Sequence, residues 1–261
     1  MASSNNNKVY VVTGGNRGLG LGLVKSLLAR PNTTVVATAR NEEAVAGLEA
    51  EIANNAIVKG TNSDFHVLQF DFTTAIPAAT ICDKVAGVVD HVDVLFLNAG
   101  FAASMTPAME TTAEDLRASF EVNAIAPLLV FQGLWPLLRK AATGGGAAPP
   151  KLAWITSSVG SITDMEPVPG GAYGPSRAAQ NWLAKALHVE NEASGLIAVA
   201  LHPGWVQTRM GDHVAKEWNI PSGPPVTVEE SVKGMLEVMD NATRETVGGK
   251  FVTQTGQILQ W

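Results

Sequence analysis

The sequence predicts a single α/β domain spanning 1–261, with a seven-stranded parallel sheet and helices on both faces of that sheet. Short apolar segments rich in β-branched residues alternate with longer helical segments from one end of the chain to the other. This alternation is typical of a parallel sheet whose strands are connected by helices. Only 16% of the residues are charged, as expected where most strands are buried on both faces.

The first half of the chain predicts four strands, each followed by a helix. Runs of β-branched and other apolar residues predict the strands at 9–13, 34–38, 65–70 and 92–97. Apolar residues at helical spacing predict the helices at 19–29, 42–54, 78–89 and 112–141. Each helix is long enough to carry the chain back to the next parallel strand.

The second half of the chain continues the same alternation. The same criteria predict three more strands, at 152–156, 196–201 and 250–253. They predict two more helices, at 173–194 and 228–240. The stretch at about 209–226 is rich in Gly and Pro, which favours a mobile lid, and 143–150 favours a flexible loop.

Composition excludes several classes of function. The formal net charge is −6 and Lys and Arg do not cluster, so no nucleic-acid partner is predicted. The single cysteine, Cys82, cannot form an internal disulfide or a cysteine-based zinc site. The five histidines show no metal-ligand spacing, so no metal is predicted. A single cysteine also favours a reducing, cytoplasmic compartment.

The sequence predicts no membrane partner. Residues 1–8 contain no apolar run, so they do not resemble a signal peptide. The longest apolar stretch, 128–138, is shorter than the ~20 residues that a membrane-spanning helix needs.

A glycine-rich turn, Thr13-Gly14-Gly15-Asn16-Arg17-Gly18-Leu19-Gly20, directly follows the first predicted strand. Glycines at such a turn let the backbone bend tightly and let a pyrophosphate approach the N–H groups at a helix start. A purely structural turn is the alternative. The strand–turn–helix context favours a dinucleotide site in a Rossmann fold.

The spacing Gly-x-x-x-Gly-x-Gly and six later motifs resemble the short-chain dehydrogenase/reductase family. The later motifs are Phe70-Asp71-Phe72, Leu97-Asn98-Ala99-Gly100, Asn123, Ser157 with Gly160, Tyr173, and His202-Pro203-Gly204-Trp205-Val206-Gln207-Thr208. Leu97 departs from the family, which has Asn there. The opening strand–turn–helix and the segment Tyr-Gly-x-Ser further resemble fungal ketoreductases of the norsolorinic acid ketoreductase type.

The resemblance implies a Rossmann fold and a cofactor site at the carboxyl ends of the strands. It also implies a homodimer or homotetramer. The cofactor-binding residues that it implies are Gly14, Asn16, Arg17, Gly18, Leu19, Gly20, Arg40, Asp71, Phe72, Asn98, Ala99, Gly100, Tyr173, Arg177, Pro203, Gly204, Val206 and Thr208.

The end of the second strand predicts NADP(H) rather than NAD(H). An NAD-selective site usually has a carboxylate there for the ribose 2′-hydroxyl, but this strand ends Ala37-Thr38-Ala39-Arg40. Arg40 and Arg17 both suit a 2′-phosphate, because a guanidinium is always charged and binds phosphate through paired donors. The alternative is that each arginine is a solvated surface charge.

The resemblance also implies the catalytic residues. Reduction of a carbonyl by hydride requires an acid for the developing alkoxide and donors for the oxygen. Tyr173 would be the acid, and Ser157 would bind the carbonyl, with Ser158 as the alternative. Asn123 would order the helix and a water in a proton relay.

Arg177 is the main departure from the family, which has Lys four residues after the tyrosine. A free phenol has a pKa of roughly 10, so proton transfer near neutral pH requires a nearby cation. Arg177 retains the charge and the donors, but it is larger and cannot release a proton. We expect retained but slower reduction. The alternatives are a non-redox isomerase or cyclase that uses the cofactor pocket as a scaffold, and a cofactor-sensing protein.

Large apolar side chains are expected around the substrate. The segments beyond the strand ends carry Phe101, Met105, Met165, Trp205, Met210 and Trp218. They favour a small apolar substrate with an aromatic carbonyl or imine group, although core packing is the alternative for each. Asp164 and Glu166 are interpreted as solvated loop charges, with Asp164 as an auxiliary acid the alternative.

Overall fold

In the computed structural model, which describes residues 7–54, 57–141 and 148–261, seven parallel strands form one sheet in the order β3-β2-β1-β4-β5-β6-β7. The strands are β1 Lys8–Val12, β2 Thr33–Ala39, β3 Asp64–Gln69, β4 Val94–Leu97, β5 Lys151–Ile155, β6 Ile197–His202 and β7 Phe251–Thr253. β1 pairs with both β2 and β4. The strand order therefore reverses at β1, where an open parallel sheet leaves a crevice at its carboxyl edge.

Helices cover both faces of the sheet. They are α1 Gly18–Leu28, α2 Glu42–Ala53, α3 Ala78–Ala86, α4 Ala113–Phe120, α5 Ala126–Ala141, α6 Tyr173–Glu190, α7 Arg209–Glu217 and α8 Val228–Asp240. α4 and α5 are continuous through a π-helical turn at Glu121–Ile125.

Alternate residues of each strand point into two separate cores. In β4, Leu95 and Leu97 pack with α3, α5 and α6 on one face, whereas Val94 and Phe96 pack with α1 and α8 on the other. This two-residue period follows from strand geometry. Because both faces are buried, the strands carry few charges. The predicted single Rossmann domain with a seven-stranded parallel sheet is confirmed.

The loop prediction for 209–226 is wrong over its first half, because 209–217 form α7. The side chain of Thr208 caps this helix by accepting a hydrogen bond from the N–H of Gly211 at 3.1 Å. Met210, Val214 and Trp218, which are four residues apart, form one apolar face. The Pro- and Gly-rich part begins only at 221. The role of this segment as a lid stays a prediction.

The helix at 113–141 also differs from expectation. Its 29 residues have a mean hydropathy of 1.3 and are long and apolar enough to cross a membrane, which the run 128–138 alone understated. More than half of its most apolar stretch is buried inside the domain, as in the core helix of an α/β fold. The predicted loop at 143–150 lies outside the described residues up to 147, as do 1–6 of the N-terminal segment.

Candidate active site

The glycine turn leaves an open cradle at the start of α1. Gly14 and Gly18 adopt left-handed backbone angles, with φ of 67° and 52°, which glycine tolerates best. A Cβ on Gly20 would overlap the carbonyl oxygen of Gly14. Within the described chain, no side chain caps the helix at Arg17. The first N–H groups of α1 are therefore available to an anion.

The loop after β4 is fixed against this turn by Thr13. The hydroxyl of Thr13 accepts hydrogen bonds from the backbone N–H groups of Asn98 and Ala99, both at 2.9 Å. The side-chain amide of Asn98 donates to the carbonyl of Thr13 at 2.8 Å. The predicted residues Asn98, Ala99 and Gly100 are therefore brought to the glycine turn. The role of Thr13 was not predicted from the sequence.

The segment after β6 borders the cradle on its other side. Thr208 lies beside the turn, because a Cβ on Gly18 would be 3.4 Å from its methyl group. Gly204 has a left-handed φ of 81°, and Val206 is buried and pairs with Val226. The carbonyl of Pro203 accepts a hydrogen bond from Ser231 at 2.6 Å. These four predicted residues are therefore held in a fixed backbone path.

Three exposed arginines gather near this cradle. Partial burial, together with the charges of Arg209 and Arg40, lowers the pKa of Arg17 below its ordinary value. Arg40 also lies close enough to Asp71 to help lower the pKa of that carboxyl, chiefly set by two hydrogen bonds from Thr73. Arg17 and Arg40 are thus brought together as predicted. Arg209 was missed, because 209–226 was assigned to a loop.

Three further predicted cofactor residues lie at the same end of the sheet. Asp71 is exposed after β3, and Phe72 stacks on Phe70 with ring centres 6.0 Å apart. Asn16 and Leu19 are half-buried in the glycine turn and the first turn of α1. Their contacts with a cofactor stay predictions.

Tyr173 begins α6 and lies in a small apolar cluster. It is 9% exposed and packs with Met105 and Val214. Met210 and Trp218 pack against the same cluster. Three of the predicted substrate-facing side chains, Met105, Met210 and Trp218, therefore meet around the predicted acid.

Arg177 lies one helical turn after Tyr173 and is buried against it. Its guanidinium carbon is 4.5 Å from the centre of the Tyr173 ring, within the range of a cation–π contact. Its Nη1 donates to the carbonyl of Ile155 at 3.1 Å and to Oε1 of Gln180 at 2.6 Å. Sequence reasoning missed Gln180, although its i, i+3 spacing from Arg177 on a helix was a usable signal.

The other side of the guanidinium faces the loop after β4. A Cβ on Gly100 would lie 2.6 Å from Nη2 of Arg177, so glycine is required for this close approach. Among the described residues, Nε of Arg177 and Nε2 of Gln180 are buried without a hydrogen-bond partner. Buried donors of this kind are satisfied by a ligand or water.

Asn123 lies in the π-helical turn and connects two parts of the site. Its side-chain amide donates to the carbonyl of Phe101 at 2.8 Å and to Oγ of Ser176 at 2.9 Å. Its Oδ1 accepts from the N–H of Phe101 at 2.8 Å. Asn123 therefore joins the loop after β4 to α6. Its role in a proton relay stays a prediction.

Ser157 precedes a short turn that packs against α6. Its Oγ accepts a hydrogen bond from the N–H of Val159 at 3.3 Å. A Cβ on Gly160 would lie 2.7 Å from the backbone of Arg177, which places the turn next to the first turns of α6. Ser157 is thus brought to the Tyr173–Arg177 pair. Asp164 is exposed and Glu166 half-buried further along this loop.

His202 supports the same turn from below. Its Nδ1 accepts a hydrogen bond from the N–H of Ser158 at 3.2 Å. Burial lowers the pKa of His202 to about 4, because an apolar environment disfavours the charged form. The imidazole is therefore neutral near pH 7 and carries its proton on Nε2.

The titration of His202 predicts a loss of stability in mild acid. In the unfolded chain its pKa returns to about 6.5, so between pH 6.5 and 4 the unfolded state binds more protons. The free energy of unfolding should fall as the pH falls, by about 2 kcal/mol between pH 7 and 5 from this group. Urea unfolding at both pH values measures it. In the control His202→Asn, the amide oxygen can still accept from Ser158 but does not titrate. An equal loss in both proteins would contradict the prediction.

α7 is connected to the loops around Tyr173. The indole of Trp218 donates to the carbonyl of Pro169 at 2.9 Å, and a carboxylate oxygen of Glu217 accepts from the N–H of Met105 at 3.1 Å. The rings of Trp205 and Trp218 lie 6.0 Å apart. The remaining predicted apolar residues, Phe101 and Met165, are 39% and 72% exposed and lie outside the cluster.

Comparison with known proteins gives consistent matches over the whole domain. A family model for short chain dehydrogenases matches residues 8–219. The short-chain dehydrogenase RED3 of Pyricularia oryzae is 38% identical, over 96% of this chain and 97% of that protein. The norsolorinic acid ketoreductase of Aspergillus parasiticus is 35% identical, over 97% and 91%. The solved structure of NADPH-bound carbonyl reductase from chicken fatty liver matches with a TM-score of 0.80 and 32% identity, over 98% and 100%.

Proposed function

This chain belongs to the short-chain dehydrogenase family of oxidoreductases, and from that premise we propose that it is an NADPH-dependent reductase of an apolar aromatic carbonyl compound. The main support is the Tyr173–Arg177 contact of 4.5 Å, which lies beside an apolar cluster and opposite the glycine turn. An acid, a cation and an apolar pocket are the groups that carbonyl reduction requires.

The residues present fit a nicotinamide dinucleotide. The cradle that a Cβ on Gly20 would fill suits a pyrophosphate, and the free N–H groups of α1 suit its charge. Arg17 and Arg40 would hold the 2′-phosphate. The buried, unpartnered Nε of Arg177 is a donor for a ribose hydroxyl. When bound, NADPH supplies the hydride for the carbonyl carbon.

Each side chain of the site has a separate task in this proposal. Tyr173 donates the proton from its hydroxyl to the developing alkoxide. Ser157 donates a hydrogen bond to the same oxygen. Arg177 places a positive charge beside the phenol, which stabilises the phenolate left behind. Asn123 keeps α6 and the loop after β4 in register.

The substrate class rests on the side chains around Tyr173 and on the relatives. Met105, Met210, Val214 and Trp218 form an apolar surface beside the phenol, which favours a flat, apolar ring system over a sugar or a charged acid. Two relatives are named as reductases of carbonyl compounds, one of them of norsolorinic acid. The small-molecule partner proposed here is therefore an aromatic ketone or quinone, with an imine as the variant.

A direct test is consumption of NADPH with a panel of aromatic ketones and quinones. We expect absorbance loss with several of them and a matching alcohol or hydroquinone product. Binding of NADPH without consumption of any panel member would contradict the proposal. That outcome would favour the alternative of a non-redox isomerase or cyclase. The observation on its side is that Arg177 replaces a residue able to relay a proton.

Arg40→Asp tests the choice of cofactor. The substitution removes a cation and places a carboxylate where NAD-selective enzymes have one. The Kd for NADPH should rise about 100-fold, or about 2.7 kcal/mol, whereas the Kd for NADH should change less than about 3-fold. Fluorescence titration measures both constants. Arg117→Asp, an exposed arginine on α4, is the control for charge alone. An unchanged preference in the Arg40 variant would refute the assignment.

A further inference from the structure

The first turn of α7 carries an arginine for which the proposed site has no task. Arg209 directly follows Thr208, and Arg17 directly precedes Gly18. Since Thr208 and Gly18 lie side by side, the two arginines extend from neighbouring points of the backbone. Arg209 was part of a predicted loop, and its position became evident only in the folded chain.

The three arginines near the cradle lack bound counter-charges. Within residues 7–54, 57–141 and 148–261, the side chains of Arg17, Arg40 and Arg209 make no hydrogen bond and no ion pair. Asp71 is the carboxylate that acts on Arg40, and it is hydrogen-bonded to Thr73. Neighbouring like charges repel one another. The cluster is therefore stabilised by an added anion.

The position of Arg209 in its helix strengthens this argument. It is the first residue of α7, where the helix dipole favours negative side chains and disfavours positive ones. A cation there destabilises the helix unless an anion lies next to it. Both the neighbouring arginines and the helix itself thus favour an anionic partner at this point.

We propose that Arg209 binds a phosphate group of the dinucleotide and thereby holds α7 over the substrate pocket. The inference rests on the proposed function, since it presumes the dinucleotide. The same helix that begins with Arg209 continues with Met210, Val214 and Trp218, which contact the cluster around Tyr173. Binding of the cofactor phosphate at one end of α7 therefore orders the apolar wall at the other.

The test compares Arg209→Gln with Lys216→Gln, which removes an exposed charge from the far end of the same helix. Calorimetry gives the Kd for NADP⁺ and NAD⁺. Hydrogen exchange of 205–226 with saturating NADP⁺ reports on α7. We expect Arg209→Gln to raise the Kd for NADP⁺ at least about 10-fold and to lose most of the protection that NADP⁺ gives the wild-type helix. Lys216→Gln should match the wild type.

The unliganded variant separates binding from folding. Because Arg209→Gln removes a repulsive charge, its Tm without cofactor should equal or exceed that of the wild type. A loss of affinity for NADP⁺ alone assigns Arg209 to the 2′-phosphate, and an equal loss for NAD⁺ assigns it to the pyrophosphate.

Three results would overturn the inference. They are unchanged Kd values in Arg209→Gln, unchanged protection of α7, and a lower Tm that accounts for the weaker binding. A wild-type protein that binds neither dinucleotide would overturn the proposed cofactor as well, so the two failures can be told apart.

Discussion

Tyr173→Phe is expected to lower kcat for carbonyl reduction by about 1,000-fold, because it removes the proton donor and leaves the ring. The ring is 9% exposed and packs with Met105 and Val214, so phenylalanine should preserve the fold. The contact of 4.5 Å between the Arg177 guanidinium and the ring should also persist. Single-turnover consumption of bound NADPH measures the chemical step, and titration of NADPH should give an unchanged Kd.

The chain offers a matched control for this substitution. It has two tyrosines, and the other, Tyr10, is buried in β1, where its hydroxyl accepts a hydrogen bond from Arg30 at 3.4 Å. Tyr10→Phe should leave the chemical step unchanged. Full reductase activity in Tyr173→Phe would exclude Tyr173 as the acid.

Replacement of Arg177 by methionine is expected to lower kcat/KM by at least about 100-fold. The substitution removes the positive charge beside the phenol and the donor to Ile155, while the apolar chain fills much of the same volume. Arg177→Lys should keep activity within about 10-fold of the wild type, because the charge remains. It should also shift the pH–rate profile, since an ammonium group can release a proton and a guanidinium does not. Steady-state kinetics from pH 6 to 10 measures both effects.

Two results bear on the interpretation of the Arg177 variants. The Tm of Arg177→Met should be checked, since the wild-type cation is 4% exposed and Gln180 loses its partner. A folded Arg177→Met protein with wild-type activity would contradict the role of the cation. Such a result would leave the guanidinium with a purely structural task, holding the end of β5 to α6.

Much of the fold and part of the site could be predicted from local sequence. The seven strands follow from β-branched runs, and the glycine turn is evident from its position after the first of them. Because the carboxyl ends of parallel strands meet at one edge, Asn98, Ser157 and Thr208 could be expected near one another. The structure brings them to that edge.

The rest depended on contacts between distant segments. Gln180 and Thr13 acquire their roles only when α6 packs on β5 and the loop after β4 meets the glycine turn. His202 reads as an ordinary turn residue until its environment shows that it is neutral. α7 was hidden because Pro and Gly at 221–225 suggested a loop, whereas the cap by Thr208 and the apolar face decide the helix. Oligomeric state and compartment stay predictions.

The π-helical turn at Glu121–Ile125 has a consequence for the heptad phase of the helix that contains it. Such a turn amounts to one extra residue inserted into an α-helix, which rotates everything after it by about 100°. A helical wheel drawn through 113–141 would therefore assign the wrong face to one half. The insertion allows Asn123 to point into the site while Val130 and Leu134 still face the sheet. Substitutions in α4 and α5 must accordingly be planned on two separate wheels, one on each side of Asn123.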